Sequence, residues 1–578
     1  MSRYIFENLK QGTSLVFSDP QRRIRCYSAK DIAEFFAEAE SMLCQGYAVA
    51  GYFTYEAGIP FVLGREPGTL LADFTVFKSY NKQPVVYADS QAIEIHDENF
   101  SVSKSEYLRN IRHIREEIQK GNLYQANYTM QKTFRHTSSA WNLYNWLKQL
   151  FTVEYAAFIE NEDEAVISFS PELFFSVTDG EIKTRPMKGT SARGRFTEED
   201  ERLMQRLQQD AKNRAENSMI VDLLRNDLGK IAVAGSIKTQ DLFAIEKYES
   251  VLQMTSTITA SLKNNCSTFD IFKSLFPCGS ITGAPKKASM QLIDSLEKQH
   301  RGVYSGAIGY FLPDNSCVFN VAIRSIVSRK QQAAFGTGSG IVWDSDAEME
   351  YAETLLKTGF LSDKPFQLIE TMLLANGKFR LLDRHLKRLE RACAFYLFHY
   401  NKNPILQKLA DIAAENPSGK YRVRILHYKS GKTEITASRL QQKPKTGLIR
   451  LSALRTDPGS SFTFHKTTNR NLYDSQYQQA LAQGLSDYIF LNNQGNLTEG
   501  CISNIFLKIN GNWFTPHRED GLLQGIFRNY LLEKYSRIQE AHLTEQDLLH
   551  CEQIILCSSL RGITRVKLQT ENTPSQPL

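Results

Sequence analysis

At residues 359–366 the sequence reads GFLSDKPF, and the hydrophobic patterning differs on its two sides. This junction follows a helix-like segment, DAEMEYAETLLKTG, and leads into a strand-like one, QLIETMLLANGKFRLL, in which Asn376-Gly377 is a hairpin signal. A boundary is expected near 362–365, giving a domain at 1–362, a second at 363–569 and a polar tail at 570–578 expected to be disordered. Before the junction, strand-like stretches such as GYFTYEAG, YAAFIENEDEAVISFS and AAFGTGSGIVW alternate with helices such as KSEYLRNIRHIREEIQKGN. In that helix Tyr107, Ile111, Ile114 and Ile118 recur at helical spacing and Gly121 ends it. After the junction, short strands (RVRILHY, TEITASRL, DYIFLNN, SNIFLKIN, EQIILCSS) are interleaved with a few helices. The pattern predicts an α+β chain with a large first domain and a second, smaller α+β domain.

Composition narrows the function classes. A net charge of +6 on 69 basic and 63 acidic residues is small for 578 residues, and no Lys/Arg run would track a phosphate backbone, so nucleic acid is not an expected partner. No apolar run approaches the 18 residues of a membrane span, and MSRYIFENLKQGTS lacks the pattern of a secretion signal; a cytoplasmic protein is expected. Nine cysteines without a CxxC pair and 11 histidines without an HxxxH-like cluster point to a reducing compartment and no zinc site.

Two helices place a carboxylate where periodicity predicts an apolar residue. Glu216 falls on the stripe of Ile220, Leu223 and Leu224, and Glu353 on that of Met349, Leu356 and Phe360. A buried carboxylate needs a cation: either a Lys/Arg in a structural salt bridge, or a hard metal ion held by a few carboxylates and water. GSITGAPKKASMQLIDSL reads as a Gly-rich turn opening a helix, with Pro285 in the first turn, Thr282 or Gly283 near the N-cap, and N–H groups suited to an anion. GTGSG at 336–340 reads as another loop of close backbone approach, without dinucleotide-binding spacing. In RPMKGTSARG, a glycine-flanked loop after a strand, Lys188 is either a solvated charge or a nucleophile.

Taken in order, SPELFF (170–175), RPMKGT (185–190), AENSMIVDLLRNDLG, GSITGAPK (279–286), YSGAIGY (304–310), NVAIRS (320–325), GTGSGIVWDSD (336–346) and EYAET (350–354) resemble the chorismate-utilising enzymes. The resemblance covers about residues 100–360 and makes 1–100 the variable N-terminal part of the same domain. It implies Glu216 and Glu353 as Mg²⁺ ligands. It implies Tyr304, Arg324 and the backbone of Gly338, Ser339 and Gly340 as groups that bind chorismate carboxylates, with Gly189, Thr190 and Thr282 also lining the site. Within the family, anthranilate synthases carry alanine at the position of Lys188 and aminodeoxychorismate synthases carry PIKGT; PMKGT resembles the second branch. The implied chemistry is attack of Lys188 on ring C2 while Glu172 protonates the departing C4 hydroxyl, followed by attack of ammonia at C4. Lys188 must then be partly neutral near pH 7. Gln253 stands where many relatives have a histidine thought to assist proton transfer. No glutaminase half is legible, so ammonia is expected from a separate glutaminase subunit.

In the second half, TFHKTTNRNLYD reads as a lysine at a strand end, Lys466, a surface charge by default. LTEGCISNIF (497–506) and LLQGIFRNYL (522–531) follow it, and the set resembles fold-type IV pyridoxal phosphate enzymes over about 366–567. The resemblance implies Lys466 as the lysine that carries the cofactor, Glu499 as the partner of its pyridine nitrogen, and Gly525 and Ile526 at a helix N-terminus as its phosphate cradle. Arg388 and Ser559 match further phosphate contacts, and Arg422 or Arg424 is a candidate for a substrate carboxylate. The fold does not choose between transamination and elimination. Fusion to the first half favours a lyase that converts aminodeoxychorismate to 4-aminobenzoate and pyruvate, for folate synthesis. Two alternatives remain: an anthranilate or isochorismate synthase joined to an amino acid aminotransferase, and a synthase whose second half only stabilises or docks it.

Overall fold

The computed structural model describes residues 2–441 and 446–569; the expected tail at 570–578 lies outside them. The chain divides into two compact units, one of Met1–Ala192 and Met204–Pro365, the other of Arg193–Leu203 and Phe366–Leu578. Among the described residues, no helix is long and apolar enough to cross a membrane.

In the first unit, the long strand Gln125–His136 pairs antiparallel with Gln332–Ile341 along its length and, at its start, with Gly283–Ala284. A second hub is Val251–Ser261, which pairs with Glu181–Arg185 and Met187–Ala192 on one edge and Lys238–Lys247 on the other. Helix Lys104–Gln119 forms where periodicity predicts: the Ser103 hydroxyl caps its N-terminus, Tyr107, Ile111 and Ile114 are buried, and Gly121 turns out of it at φ +77°. The core is aromatic-rich. Phe53, Phe74, Phe272 and Phe319 are buried together, with the Phe53 and Phe272 ring centroids 4.3 Å apart.

Four stretches differ from expectation. GYFTYEAG is a strand only to Phe53, after which Tyr55–Ala57 and Gly58–Leu63 turn helical, with Pro60 in the first helical turns. GTGSG is not a loop but part of the fully paired strand Gln332–Ile341. The segment after Arg185 is likewise a strand, Met187–Ala192, rather than a loop. The helix of GSITGAPKK begins at Lys286 with Pro285 as its N-cap, and Gly283 lies in a short strand before it.

In the second unit, Leu368–Ala375, Lys420–His427 and Thr433–Arg439 form an antiparallel sheet with the two-residue strand Lys378–Phe379. The hairpin at Asn376-Gly377 has both residues left-handed, φ 50° and 72°, as the Asn-Gly pair requires. Helix Leu382–Tyr396 buries Leu386, Leu389, Ala392 and Cys393 against this sheet. A mixed eight-stranded sheet includes Asp487–Asn492, Leu497–Gly500, Asn504–Ile509 and Gln553–Ser558.

Candidate active sites

Lys188 sits on an irregularity. The pairing of Met187–Ala192 with Val251–Ser261 shifts register between Met187 and Thr190, so Lys188 and Gly189 bulge from the ladder. Gly189 has φ +98°, and a Cβ there would lie 3.0 Å from Asn213 Oδ1 and 3.2 Å from Met254 Cβ, which is why glycine must follow the lysine. The bulge is pinned from helix Ala211–Gly229, where Asn217 Nδ2 donates to the Lys188 carbonyl at 3.1 Å and Asn217 Oδ1 accepts from Ser256 Oγ at 2.6 Å. Burial pushes the Lys188 amine below the usual lysine range; Lys357 adds to this, and Glu216, Glu172 and Glu353 oppose it.

Glu172 is buried beside it, 3% exposed, and accepts from Ser280 Oγ at 2.7 Å. Burial raises its carboxyl to about 7, against the Ser280 hydrogen bond and the charge of Lys188. A carboxylic acid raised toward neutrality thus lies near an amine lowered from the usual lysine range.

The groups expected to bind carboxylates converge on this region. The Tyr304 ring lies against Gly336, where a Cβ would meet its Cγ at 2.1 Å, and burial raises the phenol to about 12. Arg324 holds a left-handed backbone at φ 52°, and its guanidinium has no ion pair among the described residues. Burial lowers its pKa, with Glu249 and Tyr304 opposing, and its nearest ring contact is Phe360 at 5.8 Å. A half-buried guanidinium without an ion pair is suited to an anion. Gly338 approaches the Tyr128 carbonyl, and Gly340 faces the Lys188 amine, which a Cβ would meet at 2.7 Å. The Ser339 hydroxyl bonds that of Tyr107 at 3.3 Å. Thr282 spends its hydroxyl proton on the Cys278 carbonyl at 3.0 Å. Thr190 is exposed and donates to Gln253 Oε1 at 2.9 Å, which gives Gln253 a structural partner in place of a proton-transfer role.

The expected burial of the two helix carboxylates is corrected. Glu353 is exposed and paired with Lys357 at 2.7 Å, and its stripe neighbours Met349 and Leu356 are 73% and 75% exposed. Helix Ala347–Leu356 buries Thr354, with Tyr351 and Leu355 partly buried, so within the helix the stripe read from 3.6-residue spacing faces outward, and only Phe360, beyond the helix end, is buried. Glu216 is half-buried, above the buried Ile220 and Leu224. Among the described residues no three His, Cys, Asp or Glu side chains cluster as a metal site. Glu216 and Glu353 both act on the Lys188 amine, Glu353 is held by Lys357, and carboxylate oxygens are the donor type a hard cation takes.

The second unit gathers another set. Lys466 is not at a strand end. It lies in an irregular segment pinned by an isolated bridge between Thr467 and Leu368 and by the Ile369 N–H to the Lys466 carbonyl, 2.8 Å. Burial, with Arg470 and Arg388 nearby, brings its amine down to about 7. Glu499 is buried, accepts from Leu523 N–H at 3.0 Å and Asn504 Nδ2 at 3.2 Å, and is raised by burial to about 7. Asn504 also donates to the Leu523 carbonyl at 2.9 Å, tying Glu499 to the loop that enters helix Ile526–Lys534. Gly525 is the N-cap of that helix, has no side-chain cap, and a Cβ there would meet Asn504 Oδ1 at 1.9 Å. Ser559, buried, follows the strand whose Cys557 is opposite Asn504.

Arg388 is placed differently from expectation. Its Nε and Nη2 form a bidentate pair with Glu370, 2.7 Å each, and His385 Nδ1 bonds the same carboxylate at 2.6 Å. Against burial, Arg388 and His385 hold Glu370 down at about 2. Arg388 is thus fixed by a buried carboxylate, with one guanidinium nitrogen left for a ligand. Arg422 is exposed and Arg424 half-buried, on the sheet face opposite Glu370. A half-buried amine with a lowered pKa, a held carboxylate and an uncapped helix N-terminus fit the functional groups of pyridoxal phosphate. Sequence reading missed Asn217, Glu370 and His385, whose parts depend on pairings 29, 18 and 15 residues apart.

Comparison with known proteins identifies the family of each unit. The model of chorismate binding enzymes matches residues 1–363. The chain belongs to the chorismate binding enzyme family. In this family member, residues 367–568 match amino-transferase class IV. It is 38% identical over 257 residues to aminodeoxychorismate synthase component 1 of Escherichia coli (strain K12), covering 44% of this chain and 57% of that protein. It is 36% identical over 255 residues to anthranilate synthase component 1 of Aquifex aeolicus (strain VF5), covering 44% and 52%. The chain thus spans little more than half the length of these curated relatives. The family's fold is shared with anthranilate synthase component I from Streptococcus pneumoniae TIGR4, with a TM-score of 0.55 at 24% identity, covering 61% of this chain and 92% of that one.

Proposed function

We propose that the first unit aminates chorismate to 4-amino-4-deoxychorismate and that the second eliminates pyruvate from it to give 4-aminobenzoate for folate synthesis. The observation that carries the reading is the pairing of a bulge-borne lysine, its pKa lowered by burial, with Glu172 protonated near neutrality. The Lys188 amine attacks ring C2 as the C4 hydroxyl leaves as water, protonated by Glu172. Ammonia then attacks C4 and displaces Lys188 from C2, so that two displacements put the amine where the hydroxyl was. Arg324 and Tyr304 hold substrate carboxylates, and Glu216 and Glu353 would hold Mg²⁺, which neutralises carboxylate charge when bound. Ammonia comes from a separate glutaminase subunit.

In the second unit, pyridoxal phosphate supplies an electron sink when bound. Lys466 would hold the cofactor and take the proton from substrate C4, Glu499 would pair with the ring nitrogen, and Gly525, Ile526 and Arg388 with Ser559 would seat the phosphate. Aromatisation drives the loss of pyruvate. The experiment is to incubate purified protein with chorismate, Mg²⁺, ammonium and pyridoxal phosphate and to identify the aromatic product. 4-Aminobenzoate is expected; anthranilate overturns the first assignment, and accumulation of aminodeoxychorismate overturns the second.

A further inference from the structure

Gln125, the first residue of strand Gln125–His136, is fully buried, and neither Oε1 nor Nε2 of its side chain has a hydrogen-bond partner. It is the one side chain among the described residues for which both ends of a buried amide are unpaired. Leaving both ends unmet is costly, and a residue in this state is aimed at a partner. Its backbone is fully committed. The Gln125 carbonyl accepts from Ser289 Oγ at 2.8 Å, and Gln125 is paired with Ala284. Gly283, at φ +141°, passes so close that a Cβ would lie 2.1 Å from that carbonyl. The strand therefore cannot shift the amide away.

The amide faces Lys188. The position a Cβ would take on Gly340 is 2.7 Å from Lys188 Nζ and 2.9 Å from Gln125 Nε2, so the amine and the carboxamide both border the space that glycine at 340 leaves. We propose that Gln125 is a positioning residue whose carboxamide oxygen accepts an N–H of Lys188 and turns the amine lone pair toward the ring carbon. Rotation of the terminal amide, which no bond at either end resists, brings Oε1 to the face now occupied by Nε2.

A neutral acceptor suits this position. Lys188 already feels the charges of Glu216 on helix Ala211–Gly229, of Glu353 on helix Ala347–Leu356 and Lys357 at its C-cap, and of Glu172 after strand Ala165–Ser170. A further carboxylate in the amide's place would hold the lysine as an ammonium ion and remove its lone pair; an amide orients the amine without adding charge.

The inference rests on Lys188 as nucleophile, and its test is read separately from that role. Lys188 of the full chain is labelled with an amine-reactive reagent across pH without substrate, and the modified lysine is quantified by mass spectrometry in wild type, Gln125→Met and Gln125→Glu. Labelling of Lys466 reports folding. Gln125→Glu is expected to move the midpoint for Lys188 upward by about one pH unit or more. Gln125→Met, which keeps the volume, is expected to lower kcat about tenfold or more with the KM for chorismate changed less than about twofold. An unmoved Lys188 midpoint in Gln125→Glu with normal Lys466 labelling overturns the inference, as does a Gln125→Met enzyme with raised KM and unchanged kcat. A midpoint shift in Gln125→Glu stands even if Lys188→Ala retains synthase activity, which would count against the nucleophile alone.

Discussion

Asn217 donates its side-chain amide to the Lys188 carbonyl at 3.1 Å while accepting from Ser256 Oγ at 2.6 Å, so one helix carries both the anchor of the bulge and Glu216. Asn217→Ala removes the anchor, takes the side-chain donor from the Lys188 carbonyl and leaves the Ser256 hydroxyl proton without its acceptor. The expected outcome is loss of about 1–3 kcal/mol of stability and about a tenfold drop in ammonium-dependent amination, measured by thermal unfolding and product formation.

Glu172 must be protonated to act as the acid, and its pKa lies at about 7. The rate of chorismate amination should fall as pH rises through about 7, because the protonated fraction falls. Glu172→Gln should lose the alkaline limb and about 10²–10⁴-fold in kcat. A pH–rate profile of both enzymes decides this; an alkaline limb that persists in the variant belongs to another group.

Lys466 titrates at about 7, well below an ordinary lysine. Reconstitution of the cofactor-free protein requires the neutral amine, so its rate should rise with pH through about 7 and level off above it. Stopped-flow absorbance with pyridoxal phosphate reads that midpoint. Lys466→Ala should give no such absorbance band.

Gly525 leaves no room for a side chain, since a Cβ would lie 1.9 Å from Asn504 Oδ1. Gly525→Ala must displace either the helix entrance or Asn504, and with it the hydrogen bond to Glu499. Pyridoxal phosphate affinity, measured by fluorescence titration, should weaken about tenfold or more.

Much of this was legible in the sequence because it is local. The helix of Tyr107, Ile111 and Ile114 and the Asn376-Gly377 hairpin follow from spacing and turn chemistry alone. Motif order brought Lys188, Glu172 and Arg324 to one domain. What stayed hidden depends on register and on long-range packing. The bulge at Lys188 exists because two strands shift register, and GTGSG looks like a loop until its partner strand is known. Glu353 shows the limit of periodicity, which finds the face of a helix but not whether protein or solvent covers it. Gln125, a polar residue at a strand start, carries no local signal; only its two unpaired atoms beside Lys188 mark it.

The most direct test of the account is Lys188→Ala supplied with chorismate, Mg²⁺, ammonium and pyridoxal phosphate, with 4-aminobenzoate quantified by chromatography. The account predicts loss of the product by about 10²-fold or more, while supplied aminodeoxychorismate is still converted at the wild-type rate. Formation of 4-aminobenzoate from chorismate at the normal rate by this variant would contradict it.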